Sequence, residues 1–195
     1  MQDLPRSTKV KMSMFCFQCQ EAAGGKGCTV VGHCGKSAST AALQDALIHV
    51  ARGVAIYADT IYQHSSTVAS IPDEVDAWLR LALFTTITNA NFDDDAIERR
   101  ISKGLAWRLE LQKRCNDAGL NVPLAASHAA FWNPVSSSEM VQGLQGEIGV
   151  NSFSNSDENS LRELLTYGLK GLSAYLHHAA ELGFTDSLLN AFLVR

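Results

Sequence analysis

The sequence predicts an all-α fold in which antiparallel helical bundles follow an amino-terminal loop rich in cysteine. Apolar residues recur every three or four positions over several long segments, which is the period of a helix packed on one face. No segment shows the alternation of apolar and polar residues that is typical of a strand. Four of the five cysteines fall within residues 16–34. Helices of this kind bury their apolar stripes against one another, so a bundle is the expected architecture.

The composition indicates a folded chain and excludes several classes of partner. Of the 195 residues, 46% are hydrophobic, and the formal net charge is −4, so we expect no nucleic-acid partner. No apolar run approaches the roughly 20 residues that cross a bilayer, and residues 1–13 do not resemble a signal peptide. We therefore expect no membrane anchor and a cytoplasmic location. Because thiols stay reduced there, the cysteines indicate metal or redox chemistry rather than disulfides.

Three helices are predicted in the first two thirds of the chain. The first runs from Thr40 to Tyr62, and the second covers residues 72–88 with a proline at its first position. The third starts at the acidic residues 93–95, whose charge suits a helix amino terminus, and ends at Gly119. The predicted inward-facing residues are Leu43, Leu47, Val50, Val54, Tyr57 and Ile61 in the first helix, Val75, Leu79 and Leu83 in the second, and Ile97, Ile101 and Leu105 in the third.

A fourth long helix is predicted after a segment of weak periodicity. Residues 121–156 contain interrupting serines and glycines, so short helical pieces and loops are expected there. Ser156 is the predicted N-cap of the long helix, and Gly183 is its predicted stop. The predicted apolar stripe of this helix is Leu161, Leu165, Leu169, Leu172, Leu176 and Ala179.

Two features of the carboxyl-terminal region each admit two interpretations. Gly168 and Gly171 lie inside the long helix and cost about 1 kcal/mol each relative to alanine, so they indicate either a close helix-to-helix approach or a tolerated defect. A last helix begins near residues 185–186 and continues to the end of the chain. It either docks on the preceding helices or belongs to a longer protein.

The cysteines form a pattern with the spacing of a metal or cluster site. Cys16, Cys19, Cys28 and Cys34 are separated by two, eight and five residues, and the glycines among them let the backbone wrap closely around a ligand. Four thiolates suit either a zinc ion or an iron–sulfur cluster. Zinc sites usually contain two close pairs of ligands, whereas this pattern has one pair and two single cysteines. The spacing therefore favours iron–sulfur while zinc stays open.

Other chemically active residues are expected to have ordinary structural roles. His33 adjoins Cys34, where a second adjacent ligand is sterically awkward, so we expect a nearby donor or an exposed ring rather than a ligand. An isolated Cys115 is expected to be a buried, inert thiol. His177 and His178 lack further ligands at suitable spacing, and Lys170 is expected to be a surface lysine although it could meet a cofactor.

Several motifs in sequence order are shared with a known family. They are residues 14–21 (MFCFQCQE), 27–28 (GC), 32–36 (GHCGK), 43–45 (LQD), 88–92 (TNANF), 167–171 (YGLKG) and 174–175 (AY). Together they resemble the amino-terminal part of the hybrid cluster proteins, also called prismane proteins or hydroxylamine reductases. The resemblance extends from Met14 over nearly the whole chain.

The resemblance implies a helical domain in which Cys16, Cys19, Cys28 and Cys34 hold a cubane [4Fe-4S] cluster. Family members with wider gaps between these cysteines carry a [2Fe-2S] cluster instead. The resemblance implies that the full-length protein reduces hydroxylamine to ammonia and water, or reduces nitric oxide, at a second, hybrid iron–sulfur–oxygen cluster. The ligands of that cluster lie beyond the segment that resembles this chain, which has only Cys115 after Cys34. The implied role of this chain is an electron relay that receives its electrons from a redox partner protein. The resemblance implies neither a hybrid cluster nor catalysis for this chain alone.

The sequence is accordingly divided into three regions. Residues 1–13 are a leader outside the family pattern, residues 14–36 are the cluster-binding loop, and residues 37–195 are a helical bundle domain expected to be the amino-terminal domain of a longer protein. The alternative function is a structural or regulatory zinc-binding module whose helices bind another protein.

Overall fold

The computed structural model describes residues 14–19, 23–64, 70–87, 91–122, 128–142, 148–149 and 155–195, and these residues confirm the all-α prediction. They contain α1 (Ala38–Gln63), α2 (Asp73–Ile87), α3 (Asp94–Asp117), α4 (Ser137–Gln142), α5 (Ser156–Glu181) and α6 (Ser187–Val194). No strand longer than an isolated bridge occurs within these ranges. The predicted leader and part of the 88–92 motif lie outside the described residues.

Helices α1, α2 and α3 form an up–down–up bundle. Tyr62 near the end of α1 donates to Asp76 at the start of α2, so the chain reverses between them. Thr40 donates to Asp94 where α1 and α3 begin, at 2.6 Å between Oγ1 and Oδ1. Cys115 meets Tyr57 towards the other ends of the same two helices. Successive helices are therefore antiparallel, which leaves α1 and α3 parallel.

The core of this bundle is the one that the apolar periodicity predicts. Every predicted inward-facing residue of α1 and α2 is buried, as are Ile97 and Ile101 of α3, whereas Leu105 is half-buried. Full burial of an aliphatic side chain of this size contributes roughly 1.5–3 kcal/mol relative to exposure. Asp94 lies at the amino terminus of α3, where its charge suits the helix dipole. It also joins α3 to α1, because it accepts hydrogen bonds from Ser39 and Thr40.

Helix α5 is rotated relative to the predicted apolar stripe. Leu161 and Leu165 are exposed, whereas the buried positions are Thr166, Lys170, Ser173 and Leu176. The predicted stripe is therefore wrong for the first half of the helix, because its inner face meets polar groups of α1 and of the cysteine loop. Asn155, not Ser156, is the N-cap, and Gly183 ends the helix with a φ of 84° as predicted.

The close helix approach expected at Gly168 and Gly171 occurs instead at another glycine. Among the described residues, nothing lies within 4 Å of the position that a Cβ would take at Gly168 or Gly171. At Gly104 of α3, a Cβ would lie 2.5 Å from Cη2 of Trp78 and 2.8 Å from Cγ1 of Val50. The close contact thus joins α3 to α1 and α2.

The remaining helices complete the arrangement around the bundle. Helix α5 packs mainly on α2, and α6 docks through Leu193 and Val194 while Leu188 and Phe192 stay exposed. Arg80 of α2 donates to Asn190 of α6 at 2.9 Å. Within the described ranges, no helix is both long and apolar enough to span a bilayer.

We expect Gly104→Ala to destabilise the protein by about 1–3 kcal/mol, because the added methyl group overlaps the Trp78 ring in a packed core. Gly168→Ala is the matched control in α5. It should be neutral or stabilising by up to about 1 kcal/mol, since alanine favours a helix and space is open there. Urea denaturation followed by circular dichroism measures both changes. Equal stability of the two variants would contradict the packing.

His49 of α1 contacts a second histidine, His128, which follows α3 in the chain. His49 is buried, and its Nε2 lies 3.1 Å from Nδ1 of His128. Burial lowers the pKa of His49 to about 3, and the positive charges of His128, Arg52 and Arg108 act in the same direction. His49 is therefore neutral at pH 7.

The free energy of unfolding should fall as the pH decreases from about 6.5 towards 3. Unfolded histidine has a pKa of about 6.5, so the unfolded state binds more protons in this window and acid favours it. Urea denaturation at several pH values gives the free energy of unfolding as a function of pH. This free energy should change less steeply with pH for His49→Gln than for the wild type. Identical slopes for His49→Gln and the wild type would be inconsistent with a neutral, buried His49.

Candidate metal centre

The backbone of the cysteine loop brings Cys16 and Cys28 together. The two residues exchange main-chain hydrogen bonds of 3.0 and 2.9 Å, forming an isolated antiparallel bridge in which both are buried. Gly27, before Cys28, has a φ of 107°, and a Cβ there would lie 2.9 Å from Cζ of Phe15. Glycine at this position therefore allows the two arms of the loop to meet.

A tight turn presents Cys34 at the surface. Gly32 donates its N–H to the carbonyl of Lys36 at 2.8 Å, and Gly35 donates to the carbonyl of Gly32 at 2.8 Å. The main-chain N–H of His33 points to Sγ of Cys28 at 3.4 Å, while the His33 ring is exposed. The contact from His33 to a cysteine is thus made by the backbone and not by the imidazole.

The four predicted ligands differ in how far the structure gathers them. All are free thiols: Cys16 and Cys28 are buried, Cys19 is half-buried and Cys34 is exposed. Within the described residues, no three Cys, His, Asp or Glu side chains lie close enough to share one metal ion. The structure therefore pairs Cys16 with Cys28 and links Cys28 to the Cys34 turn, but it does not converge all four sulfurs on a single point.

A buried lysine lies beneath this cysteine pair. The Lys36 side chain is only 1% exposed, and its Nζ lies 3.8 Å from Sγ of Cys16 and donates to Oε1 of Gln44. Burial raises the pKa of the Cys16 thiol, and the Lys36 ammonium opposes that rise. A buried ammonium is costly unless an anion offsets it, and the acceptors of Lys36 are an amide and a sulfur atom. The site is therefore suited to negative charge on sulfur.

A second buried lysine reaches the loop from α5. Lys170, also 1% exposed, donates to Oε1 of Gln18, which in turn donates through Nε2 to Asp45. Tyr167 donates from its hydroxyl to the carbonyl of Phe17 at 3.1 Å. Two residues of α5 thus bind the segment between Cys16 and Cys19, and the expectation that Lys170 lies on the surface is wrong.

We call Gln18, Lys36, Gln44 and Lys170 the polar floor of the loop. Gln44 is fully buried, and its Nε2 has no hydrogen-bond partner among the described residues. Leaving a buried donor unsatisfied costs roughly 1–3 kcal/mol, which calls for an acceptor. Two buried ammonium groups, an unpartnered amide N–H and glycine turns around free thiols fit an anionic group with sulfur acceptors, such as an iron–sulfur cluster.

The other candidate residues lie away from this loop. Cys115 is fully buried in the bundle, and its Sγ lies 3.7 Å from the carbonyl of Tyr57, which confirms a buried thiol. Burial raises its pKa. The rings of His177 and His178 pack against Phe84 with centroid distances of 4.8 and 5.3 Å.

Comparison with known proteins identifies the family. Residues 14–195 match the Prismane/CO dehydrogenase family. The chain belongs to this family. Hydroxylamine reductases from Clostridium perfringens and from Desulfitobacterium hafniense strain Y51 are similar to it at 45% and 42% identity over 184 residues, and one from Clostridium botulinum strain 657 at 40% over 205. The first two alignments cover 93% and 94% of this chain but 32% and 33% of the relatives. The chain therefore spans about a third of their length.

Membership of the prismane family confirms the resemblance, and the structure adds that its distant motifs converge. Gln18, Lys36, Gln44 and Asp45, and Lys170 come from four separate motifs and meet beneath the cysteine loop. Of these residues, only Lys170 was considered from the sequence as a possible cofactor contact. The available signal was that each of these residues lies in a motif shared with the family.

Limited alkylation of the metal-free protein should separate the cysteines by burial. Cys34 is expected to react first and Cys19 next, while Cys16, Cys28 and Cys115 react slowly because their side chains are buried. Iodoacetamide labelling followed by peptide mass spectrometry gives the order, and the same reaction in urea should label all five equally. Early labelling of Cys16 or Cys28 would refute the paired geometry.

Proposed function

We propose that this chain is the cluster-bearing part of a hydroxylamine reductase, in which Cys16, Cys19, Cys28 and Cys34 bind a [4Fe-4S] cluster. Such a cluster, when bound, accepts and passes on single electrons. The observation that carries the proposal is the buried ammonium of Lys36 beneath the bridged pair Cys16 and Cys28. The gaps of eight and five residues, and the family to which the chain belongs, support the same cofactor.

The residues of the loop would control the environment of the sulfur ligands. Hydrogen bonds to sulfur, nearby charge and solvent access are the factors through which a protein sets the potential of such a site. Here the His33 N–H supplies a hydrogen bond to Cys28, and Lys36 supplies positive charge beside Cys16. Burial excludes water from Cys16 and Cys28, whereas exposed Cys34 leaves one side open to a redox partner protein as electron donor.

The reduction itself would belong to the longer protein. Converting hydroxylamine to ammonia and water consumes two electrons and two protons, so an electron relay needs a separate site where substrate binds. After Cys34 this chain carries only Cys115, which is fully buried in the bundle and unavailable to a second cluster. We therefore assign the hybrid cluster and the substrate to the remainder of the full-length protein. In this proposal the protein acts in the cytoplasm, without nucleic acid or membrane partners.

The spacing of the cysteines supports a cluster over the alternative zinc module. Zinc sites usually contain two close pairs of ligands, whereas Cys16 and Cys19 are the one close pair in this pattern.

Reconstitution with iron and sulfide should give a brown protein with four irons per chain. Cys28→Ser should lose most of this iron because it removes a ligand at the bridged pair, and it should also destabilise the loop. Cys115→Ser is the matched control and should bind as much iron as the wild type, since its thiol lies in the bundle core. Visible spectra with iron and sulfide analysis provide the measurement.

Three other results would each correct the proposal. Two irons per chain would indicate a [2Fe-2S] cluster. A colourless protein with stoichiometric zinc would support the structural or regulatory module. Unchanged metal content in Cys28→Ser would count against both the iron–sulfur cluster and the zinc ion at these cysteines.

A further inference from the structure

We propose that the polar floor stabilises added negative charge on the bound cluster and so raises its reduction potential. This inference rests on the proposed function. It assigns a tuning role to Lys36, Gln44 and Lys170, none of which is a ligand. Cysteine spacing would not reveal such a role, because these residues come from the loop, α1 and α5.

The first step is the balance of charge beneath the loop. Lys36 and Lys170 are both 1% exposed, and neither makes a direct ion pair within the described residues. Lys170 is hydrogen-bonded to Gln18, which also binds Asp45, and the carboxyl groups of Asp45 and Glu163 act on Lys170 at longer range. Burial lowers the pKa of Lys170 to about 8 and raises that of Asp45 to about 7, so both charges are costly in this pocket. An anionic group held by the loop would offset the two ammonium groups.

The second step is the orientation of Gln44. Its Oε1 accepts from Lys36, which fixes the amide and leaves its Nε2 as a buried donor without a partner in the described part of the chain. The same Lys36 Nζ lies 3.8 Å from Sγ of Cys16. An acceptor on the loop side would satisfy Nε2, and the sulfur atoms of a bound cluster are acceptors of this kind.

The third step is how the floor is held in place. Lys170 contacts Gln18 across 152 positions of sequence, and the neighbouring Tyr167 binds the carbonyl of Phe17. A cavity of about 10 Å³ beside Gln18 and Asp45 is about the size that one water molecule needs. The Lys36 and Lys170 side chains are themselves almost fully buried, so solvent screens their charges less than those of surface lysines.

The redox step is a simple electron transfer. One electron passes from an external reductant to the bound cluster, which gains one unit of negative charge. No bond to Lys36, Gln44 or Lys170 forms or breaks. The floor acts only by making the reduced state more favourable than it would be beside neutral side chains.

Redox titration with dithionite, followed by visible absorbance, tests this role in the reconstituted full chain. Lys170→Met and Lys36→Met should shift the midpoint potential to more negative values, since each removes a buried positive charge. Gln44→Glu should shift it in the same direction with almost no change in side-chain size. Lys170→Arg should restore a potential near that of the wild type, and Lys113→Met, on the exposed face of α3, should leave it unchanged.

The outcomes separate this inference from the proposed function. If the wild type binds no iron–sulfur cluster, the proposed function itself fails. If the wild type binds the cluster and the Met and Glu variants keep both its iron content and its potential, the floor has no tuning role. A shift in Lys170→Arg as large as that in Lys170→Met would show that shape and not charge matters. If one Met variant loses the cluster, the other and Gln44→Glu still decide the question.

Discussion

Burial of positive charge beneath the cysteine loop is the constraint on which the rest of the site depends. Two ammonium groups, each 1% exposed, lie where transfer from water costs several kcal/mol per ion unless an anion compensates. The up–down–up bundle provides the rigid support, because α1 supplies Gln44 and Asp45 from a helix packed along its length against α3. Helix α5 then adds Lys170 from the other side of the loop. Together these elements form a binding pocket suited to an anionic, sulfur-rich group.

The bundle was predictable because its burial is apolar and periodic. The inward-facing residues of α1 and α2 follow the helical period and pack mainly against other apolar residues. The same reasoning fails for α5, whose buried face carries Thr166, Lys170 and Ser173 because the loop and α1 present polar partners to it. Glycines show the same limit: sequence places them in helices, but only the fold shows that Trp78 packs on Gly104 and nothing packs on Gly168.

The cysteine loop was recognisable in the sequence, whereas the residues that surround it were not. Cysteine spacing predicts four sulfur ligands, and the structure shows that Cys16 and Cys28 are bridged and buried while Cys34 faces solvent. Gln18, Lys36, Gln44 and Lys170 could not be assigned from sequence, since a lysine or glutamine is ordinarily a surface residue and its burial here comes from contacts between distant segments.

Mössbauer spectroscopy of the chain reconstituted with ⁵⁷Fe is the most direct measurement of the central claim. The account predicts that the bound iron occupies tetrahedral sulfur sites with the delocalised valence of a cubane, and that the signal needs the cysteine loop. Iron in localised ferric pairs, iron bound through oxygen or nitrogen, or a chain that takes up zinc and no iron would contradict it.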